Sequence, residues 1–302
     1  MTTTEREPVV VDTVRDAPAV CVRGLRKSYG GRAVLDGLDL EVSHGECVAL
    51  LGPNGAGKTT TIEILEGVRA RDAGQVLVLG EDPAVAGRGW RARVGVVTQG
   101  EAAGQALTVL ETVEHFAVYH ARPRPTADLL EAVGLQEQSG TRVAQLSGGQ
   151  RRRLAVALGV QGDPDLVFLD EPTTGMDPVA RRQFWELVRG LRAAGTTVVL
   201  TTHYLDEAAE LADRVAVVSA GRLVEVAPPR ELGASLRRQV TVTWTEDGRP
   251  RQVRTEKPEP LLRDLLLTHR HQCVPDLTVT RPTLEDVYLQ LIGATGPTEE
   301  RP

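Results

Sequence analysis

Short, uninterrupted apolar runs at residues 47–51, 166–169, 197–200 and 215–218 alternate along the chain with stretches of helical period at 60–68 and 181–194. A strand covered on one face alternates apolar with polar residues, whereas a continuous run signals burial on both faces, the pattern of a parallel sheet packed between helices. Leu38-Asp39-Leu40-Glu41-Val42 does alternate and predicts a half-buried antiparallel strand beside that sheet, and residues 215–226 carry a hairpin pattern. The expectation is an α/β fold with a mostly parallel core sheet and an antiparallel β flank.

Proline-rich breaks set the boundaries. Arg122-Pro123-Arg124-Pro125 interrupts the middle of the chain, and Ala227-Pro228-Pro229 interrupts it again after the hairpin pattern. The chain is thus divided into a polar tail at 1–17, a main domain at 18–228 and an accessory domain at 229–302. In the last part Val240-Thr241-Val242-Thr243-Trp244 alternates, Asp247-Gly248 marks a turn, and 261–267 and 283–292 have helical period, which predicts a small α+β unit. Its expected role is assembly, because every candidate for chemistry lies before Pro228. No internal repeat or low-complexity tract interrupts the pattern.

The run ending at Leu51 leads directly into Gly52-Pro53-Asn54-Gly55-Ala56-Gly57-Lys58-Thr59-Thr60. Glycines in such a loop keep Cβ atoms away from a phosphate, so that successive N–H groups converge on the anion at the start of a helix expected near Gly57. Lys58 adds a compact positive charge for the β- and γ-phosphates, and the Thr59 hydroxyl is placed to ligate Mg²⁺. A second component is Leu166-Val167-Phe168-Leu169-Asp170-Glu171-Pro172, a buried strand ending in two carboxylates. Asp170 suits a metal, directly or through water, and Glu171 suits polarisation of a water that attacks the γ-phosphate. Residues 197–202 form another strand leading to His203, a candidate hydrogen-bonding group near that water.

Composition changes the picture in three places. Lys27, Lys58 and Lys257 are the only lysines among 35 basic residues, and one of them stands where a planar guanidinium would not fit. Cys21, Cys47 and Cys273 have no metal-ligand spacing and read as buried free thiols in a reducing cytosol. The N-terminal residues lack the pattern of a secretory signal, and no apolar run approaches the ~18 residues that cross a bilayer. The net charge of −6, and 11 basic against 11 acidic residues from Pro229 onward, provide no basic arm, so no nucleic-acid partner is expected.

Leu146-Ser147-Gly148-Gly149-Gln150, placed between the phosphate loop and the Asp-Glu pair, resembles the signature of ABC-type ATPases. Tyr29 resembles the aromatic residue that stacks on adenine, Gln99 the glutamine that senses γ-phosphate or metal, Gly175-Met176-Asp177 the segment after the Asp-Glu pair, and His203 the switch histidine. The resemblance covers residues 19–227. It implies a P-loop NTPase fold with a helical subdomain, ATP and Mg²⁺ as cofactors, and a metal held by Thr59, Asp170 and Gln99. It further implies that Ser147, Gly148, Gly149 and Gln150 of one copy complete the site around Lys58 of a second, in a homodimer sandwiching two ATP molecules.

From the residues alone, Ser147 can cap the helix that follows, and Arg151-Arg152-Arg153 puts positive charge against the macrodipole. That arginine face is expected in solvent, as charge runs usually are. By the same resemblance, Leu107-Thr108-Val109-Leu110-Glu111 and the helix after it dock on a separately encoded transmembrane permease, with this chain peripheral on the cytoplasmic face of the membrane. Arg281-Pro282-Thr283-Leu284-Glu285-Asp286-Val287-Tyr288-Leu289 is similar to the tail of bacterial drug-exporter ATPases of the daunorubicin-resistance type. That similarity implies export of a drug-like or amphipathic compound. An exporter of lipid or polysaccharide is an alternative. So is a soluble ABC ATPase acting on nucleic acid or ribosomes, although no tandem cassette or long coiled coil supports it.

Overall fold

The computed structural model describes residues 17–97, 106–268 and 273–293. The chain begins with the hairpin β1 (Val20–Tyr29) and β2 (Arg32–Val42), then β3 (Cys47–Leu51), α1 (Lys58–Leu65), β4 (Ala73–Val78), α2 (Arg88–Arg91) and β5 (Val94–Val97). A helical region of α3 (Val109–Ala117), α4 (Thr126–Ala132) and α5 (Gly148–Val160) follows. The chain then returns through β6 (Leu166–Asp170), α6 (Pro178–Ala193), β7 (Thr197–Thr202), α7 (Leu205–Leu211), β8 (Arg214–Ser219) and β9 (Arg222–Ala227). The last part holds α8 (Ala234–Arg237), β10 (Val240–Glu246), β11 (Arg249–Thr255), α9 (Pro258–Thr268), β12 (Thr278–Thr280) and α10 (Leu284–Leu291).

The central sheet has the order β5-β6-β7-β3-β8-β9, parallel except for β9 at its edge. Its continuous apolar runs are explained by two cores. Cys47, Ala49 and Leu51 of β3 join Val167, Leu169, Val198 and Leu200 in a cluster covered by α3, α5, α6 and α7. Val48 and Leu50 point the other way, into a cluster with Phe168, Val199, Ile62 and Leu65 of α1, and the inner face of the antiparallel sheet β2-β1-β4. Each fully buried side chain of this kind contributes about 1.5–3 kcal/mol. In β2, Leu38, Leu40 and Val42 are buried, as their alternation predicts. β1 was not evident from periodicity because its pairing with β2 shifts between Val22 and Leu25, which breaks the alternation.

α6 shows how local signals start an element. Asp177 accepts hydrogen bonds from Val179 and Ala180 N–H at 2.8 and 2.9 Å, Pro178 occupies the first position, and Ala180, Phe184, Leu187, Val188 and Leu191 form the buried stripe. The helix therefore begins three residues before the periodic stretch at 181–194.

The last part of the chain is anchored in two ways. Sheet β11-β10-β12 has its own cluster of Val242, Trp244, Leu265 and Val274. α10 instead returns to the central sheet: Tyr288 enters its core cluster, and Leu284, Leu289, Leu291 and Ile292 pack against it, beside the fully buried Leu232. The cysteines differ from their shared expectation. Cys47 is buried, and burial pushes its thiol up to about 12, but Cys21 is half-buried and Cys273, in an irregular segment between α9 and β12, is exposed.

Truncation after Ala227 removes Leu232 and α10 and uncovers the apolar surface beneath them, so the shortened protein should aggregate and melt at lower temperature. Sedimentation and thermal unfolding check this. A monodisperse truncation with the full-length midpoint would show that α10 is dispensable to the core.

Candidate active site

Strands β6, β7 and β3 are neighbours, and their register pairs Leu51 with Thr202 and Asp170 with Thr201. The loop at Gly52, the acids Asp170 and Glu171, and His203 consequently leave the sheet at one carboxyl edge, where open α/β sheets bind ligands. A cavity of about 650 Å³ opens there, lined by Asn54, Gly55, Gly57, Lys58, Thr59, Thr60 and Glu171, with Arg32, Ala33 and Val34 of β2 and Ala220 and Gly221 of the β8–β9 turn. Hydrogen bonds from Gly221 N to Ala56 O (3.1 Å) and from Asp36 N to Gly221 O (2.9 Å) tie that turn to the loop and to β2.

The loop glycines have different reasons for being glycine. Gly55 has φ +80° and faces open space, which suits an approaching ligand. A Cβ on Gly52 would stand 2.3 Å from Val218 O, and one on Gly57, at φ +103°, would stand 2.6 Å from the Leu35 side chain. Those two glycines let the protein pack against its own loop, which corrects the expectation that all three clear space for phosphate. Gly57 caps α1 without a side-chain bond, and no acid lies in the first turn, so the helix presents its N–H groups unopposed.

Lys58 is nearly buried and curls back, its Nζ donating to Gly52 O at 2.8 Å and Pro53 O at 3.3 Å. Burial lowers its pKa, an effect that the Glu171 and Asp170 carboxylates partly offset. Glu171 lies between two basic groups, with Oε1 3.8 Å from Lys58 Nζ and Oε2 3.5 Å from His203 Nδ1. Its backbone is left-handed at φ 44°, a conformation that costs a non-glycine residue about 1–3 kcal/mol and is concentrated at functional sites. The Thr201 hydroxyl accepts the Glu171 N–H at 2.8 Å and donates to the buried Asp170 carboxylate, which lies 3.5 Å from the Thr59 hydroxyl. Thr59 and Asp170 thus form an oxygen-only pair, the donor chemistry that Mg²⁺ prefers.

Tyr29 is at the tip of the β1–β2 hairpin, partly exposed, with Lys27 Nζ and the Arg69 guanidinium each 5.4 Å from its ring centroid. It does not line the cavity, though Arg32 across the turn does. Gln99 lies outside the described residues. Gly52, Pro53 and Ala56 form the back of the loop. Ser147, Gly148, Gly149 and Gln150 open α5 away from the cavity: Ser147 Oγ accepts from Gln150 N at 3.2 Å, and Gln150 Oε1 accepts from Ser147 N at 2.9 Å. This reciprocal cap leaves the Ser147 O–H free to donate.

The arginines after the signature are not a solvated face. Each is half-buried and each donates to backbone carbonyls: Arg151 to Leu146 O at 2.6 Å, Arg152 to Pro172 O at 2.9 Å and to Asp170 O, and Arg153 to Gly134 O at 2.9 Å. These carbonyls are the partners that offset the macrodipole. Thr201 and Arg152 escaped the sequence reading because their neighbours in space lie on other strands. The one available signal was that Thr201-Thr202 ends a strand beside His203.

The profile of the family described as ABC transporter matches residues 35–174. The chain is 38% identical to Nod factor export ATP-binding protein I of Ralstonia nicotianae over 93% of this chain and 95% of that protein. The chain belongs to the ABC transporter family. As a cassette of that family it is an ATP-binding, ATP-hydrolysing protein. It is also 38% identical to daunorubicin resistance ATP-binding protein DrrA3 of Streptomyces coeruleorubidus, over 91% of this chain and 96% of that one. Among solved structures, an ATP-binding subunit of an ABC transporter superposes with a TM-score of 0.65 at 25% identity, covering 72% of this chain and 92% of that chain. A dimeric cassette in a post-hydrolysis state with ADP and Pi superposes at 0.63 and 24% identity, over 70% of this chain and 99% of that chain, and shows the same fold.

One further acid of the cassette, at the other end of α1, is buried. Glu66, at the end of α1, is pushed up to about 8 by burial and by the nearby Asp170 and Glu63 charges. Its folded value exceeds the unfolded value of about 4.3, so the stability linked to its proton is present below that pH and is lost as pH rises to about 8. Glu66→Gln should therefore raise the thermal midpoint at alkaline pH and change it little at mildly acidic pH. Melting curves across pH test this, and an equal shift at both ends would exclude Glu66 as the titrating group.

Proposed function

We propose that this cassette is the motor subunit of a bacterial exporter, in which two copies close on two ATP molecules and drive a separately encoded membrane permease to export a drug-like or amphipathic compound. The observation that carries the site assignment is the convergence of Lys58, Asp170, Glu171 and His203 on one sheet edge while Ser147–Gln150 face elsewhere. A half-site of that kind needs a second copy to bring the signature to its phosphate loop. The dimeric solved cassette with ADP and Pi supports that arrangement. The names of the relatives support export, and equal 38% identity to two of them leaves the substrate class resting on the C-terminal similarity. No helix of the described residues is long and apolar enough to cross a membrane, in keeping with a peripheral subunit at the cytoplasmic face.

The chemistry follows from the geometry. Lys58 exchanges the carbonyls of Gly52 and Pro53 for the β- and γ-phosphates, while the uncapped start of α1 holds the same anion through N–H groups. Thr59 and Asp170 would hold Mg²⁺, with Gln99 as the expected third protein ligand; the ion neutralises phosphate charge when bound. Glu171, turned toward His203 by its left-handed backbone, accepts hydrogen bonding from the attacking water, and His203 orients it. Loss of the γ-phosphate removes the bridge between the two copies, and they separate. Docking on the permease is assigned to α3 and the residues before it, where Phe116 and Tyr119 form a ring cluster with His115 and Tyr119 is exposed.

Lys58→Ala should lose ATP binding, Glu171→Gln should bind ATP and remain a closed dimer without turnover, and His203→Ala should lower kcat more than affinity. The size expected for a removed general base is about 10²–10⁴-fold in rate. Equilibrium nucleotide binding, steady-state hydrolysis and ATP-dependent dimerisation separate these outcomes. Normal turnover by Glu171→Gln would sink its assignment to the attacking water. Vesicles containing this chain and its permease test export directly.

A further inference from the structure

α6 and α7 are joined along one face. Arg181, Trp185, Arg189 and Arg192 of α6 meet Asp206, Glu207, Glu210 and Asp213 in and after α7: Arg181 pairs with Asp206 at 3.4 Å, Arg189 with Glu210 and Arg192 with Asp213. The Trp185–Glu207 level is unlike the others, because Glu207 is fully buried. Its carboxyl lies among Thr202, Thr173 and Trp185, yet Glu207 Oε1 and Oε2, Thr173 Oγ1 and Trp185 Nε1 all lack a closed hydrogen bond, and the Thr202 hydroxyl accepts the Tyr204 N–H at 2.9 Å. Arg152 of α5 is a cation within electrostatic reach, and Asp206 is a neighbouring anion.

The placement of these groups matters. Glu207 is in the first turn of α7, four residues beyond His203, Thr202 immediately precedes His203, and Thr173 is two residues beyond Glu171. We propose that Glu207 is a positioning residue for ATP hydrolysis, bridging the end of β7 to the segment that leaves Glu171 and so setting His203 against the Glu171 carboxylate. Stability alone does not account for an acid here. A buried carboxyl without closed hydrogen bonds is costly, and an apolar side chain of similar size is often neutral or stabilising at such a position. Burial also raises the Glu207 pKa and favours its neutral form, which can donate as well as accept.

The inference rests on the roles given above to Glu171 and His203. It is tested in the full-length chain with Glu207→Leu and Glu207→Gln, measuring kcat, affinity for a fluorescent ATP analogue and the thermal midpoint. Glu207→Leu should lower kcat about tenfold or more, the scale on which misplaced catalytic groups act, with ATP affinity little changed and the midpoint unchanged or raised. Glu207→Gln, which keeps the shape and both polar ends, should retain most of the rate. Wild-type kcat in Glu207→Leu, or a loss that only tracks a lower folded fraction, would overturn the proposal. If Glu207→Leu does not fold, Thr173→Val and Trp185→Phe carry the test: each should lower kcat at constant affinity, and their effects should not add in the double variant. Additive effects, or none, would refute it. Glu171→Gln serves as control, since its activity would break the underlying assignment whatever Glu207 does, whereas an inactive Glu171→Gln beside a fully active Glu207→Leu would remove this inference alone.

Discussion

Thr201 uses one hydroxyl twice, donating to the Asp170 carboxylate and accepting the Glu171 N–H at 2.8 Å. Two adjacent carboxylates at the end of a buried strand repel each other unless each finds its own partners. The threonine holds Asp170 toward Thr59, and the left-handed backbone at Glu171 sends the second carboxylate in another direction, toward Lys58 and His203. The two carboxylates thereby face different partners, Asp170 the Thr59 and Thr201 hydroxyls and Glu171 the basic groups. That division depends on the parallel pairing that puts Asp170 beside Thr201, and so on the apolar runs that make β6 and β7 neighbours.

The costs of this edge are carried by the core behind it. Lys58, Glu66 and Glu207 are ionisable groups in or near the interior, and burial shifts each toward its neutral form. The offsetting gain comes from β3, β6 and β7, whose residues face alternately into two apolar clusters. The exposed arginine pairs between α6 and α7 contribute little to stability, about 0–1 kcal/mol each. They join α6 to α7 and to Asp213 just beyond it.

The parallel sheet, the phosphate loop, the Asp170-Glu171 pair and the Ser147 cap were legible in the sequence because each is encoded in contiguous residues: an apolar run, a glycine spacing, a strand ending in acids, a serine three residues before a glutamine. Features that depend on strand order were not. Thr201 becomes meaningful only once β7 lies beside β6, and Glu207 only once α7 lies on α6. The arginines at 151–153 read as a solvated run because nothing local places carbonyls of residues 133–134 and 170–172 above them. Gly52 and Gly57 carry the same limit, since Val218 and Leu35 approach them from distant parts of the chain.

The Arg152 contacts connect these local facts to motion. Arg152 is the fifth residue of the signature helix, and its guanidinium binds the carbonyls of Asp170 and Pro172, on either side of Glu171. It is half-buried, and burial lowers its pKa, so releasing these bonds would leave a partly desolvated cation. Displacement of α5 must therefore either carry the backbone around Glu171 with it or break costly bonds. Glu171, the residue after β6, is already held in a left-handed conformation with its carboxylate 3.5 Å from His203 Nδ1. The signature helix is thus mechanically joined to the backbone on either side of Glu171, so a shift of α5 and the position of that acid are coupled within one chain.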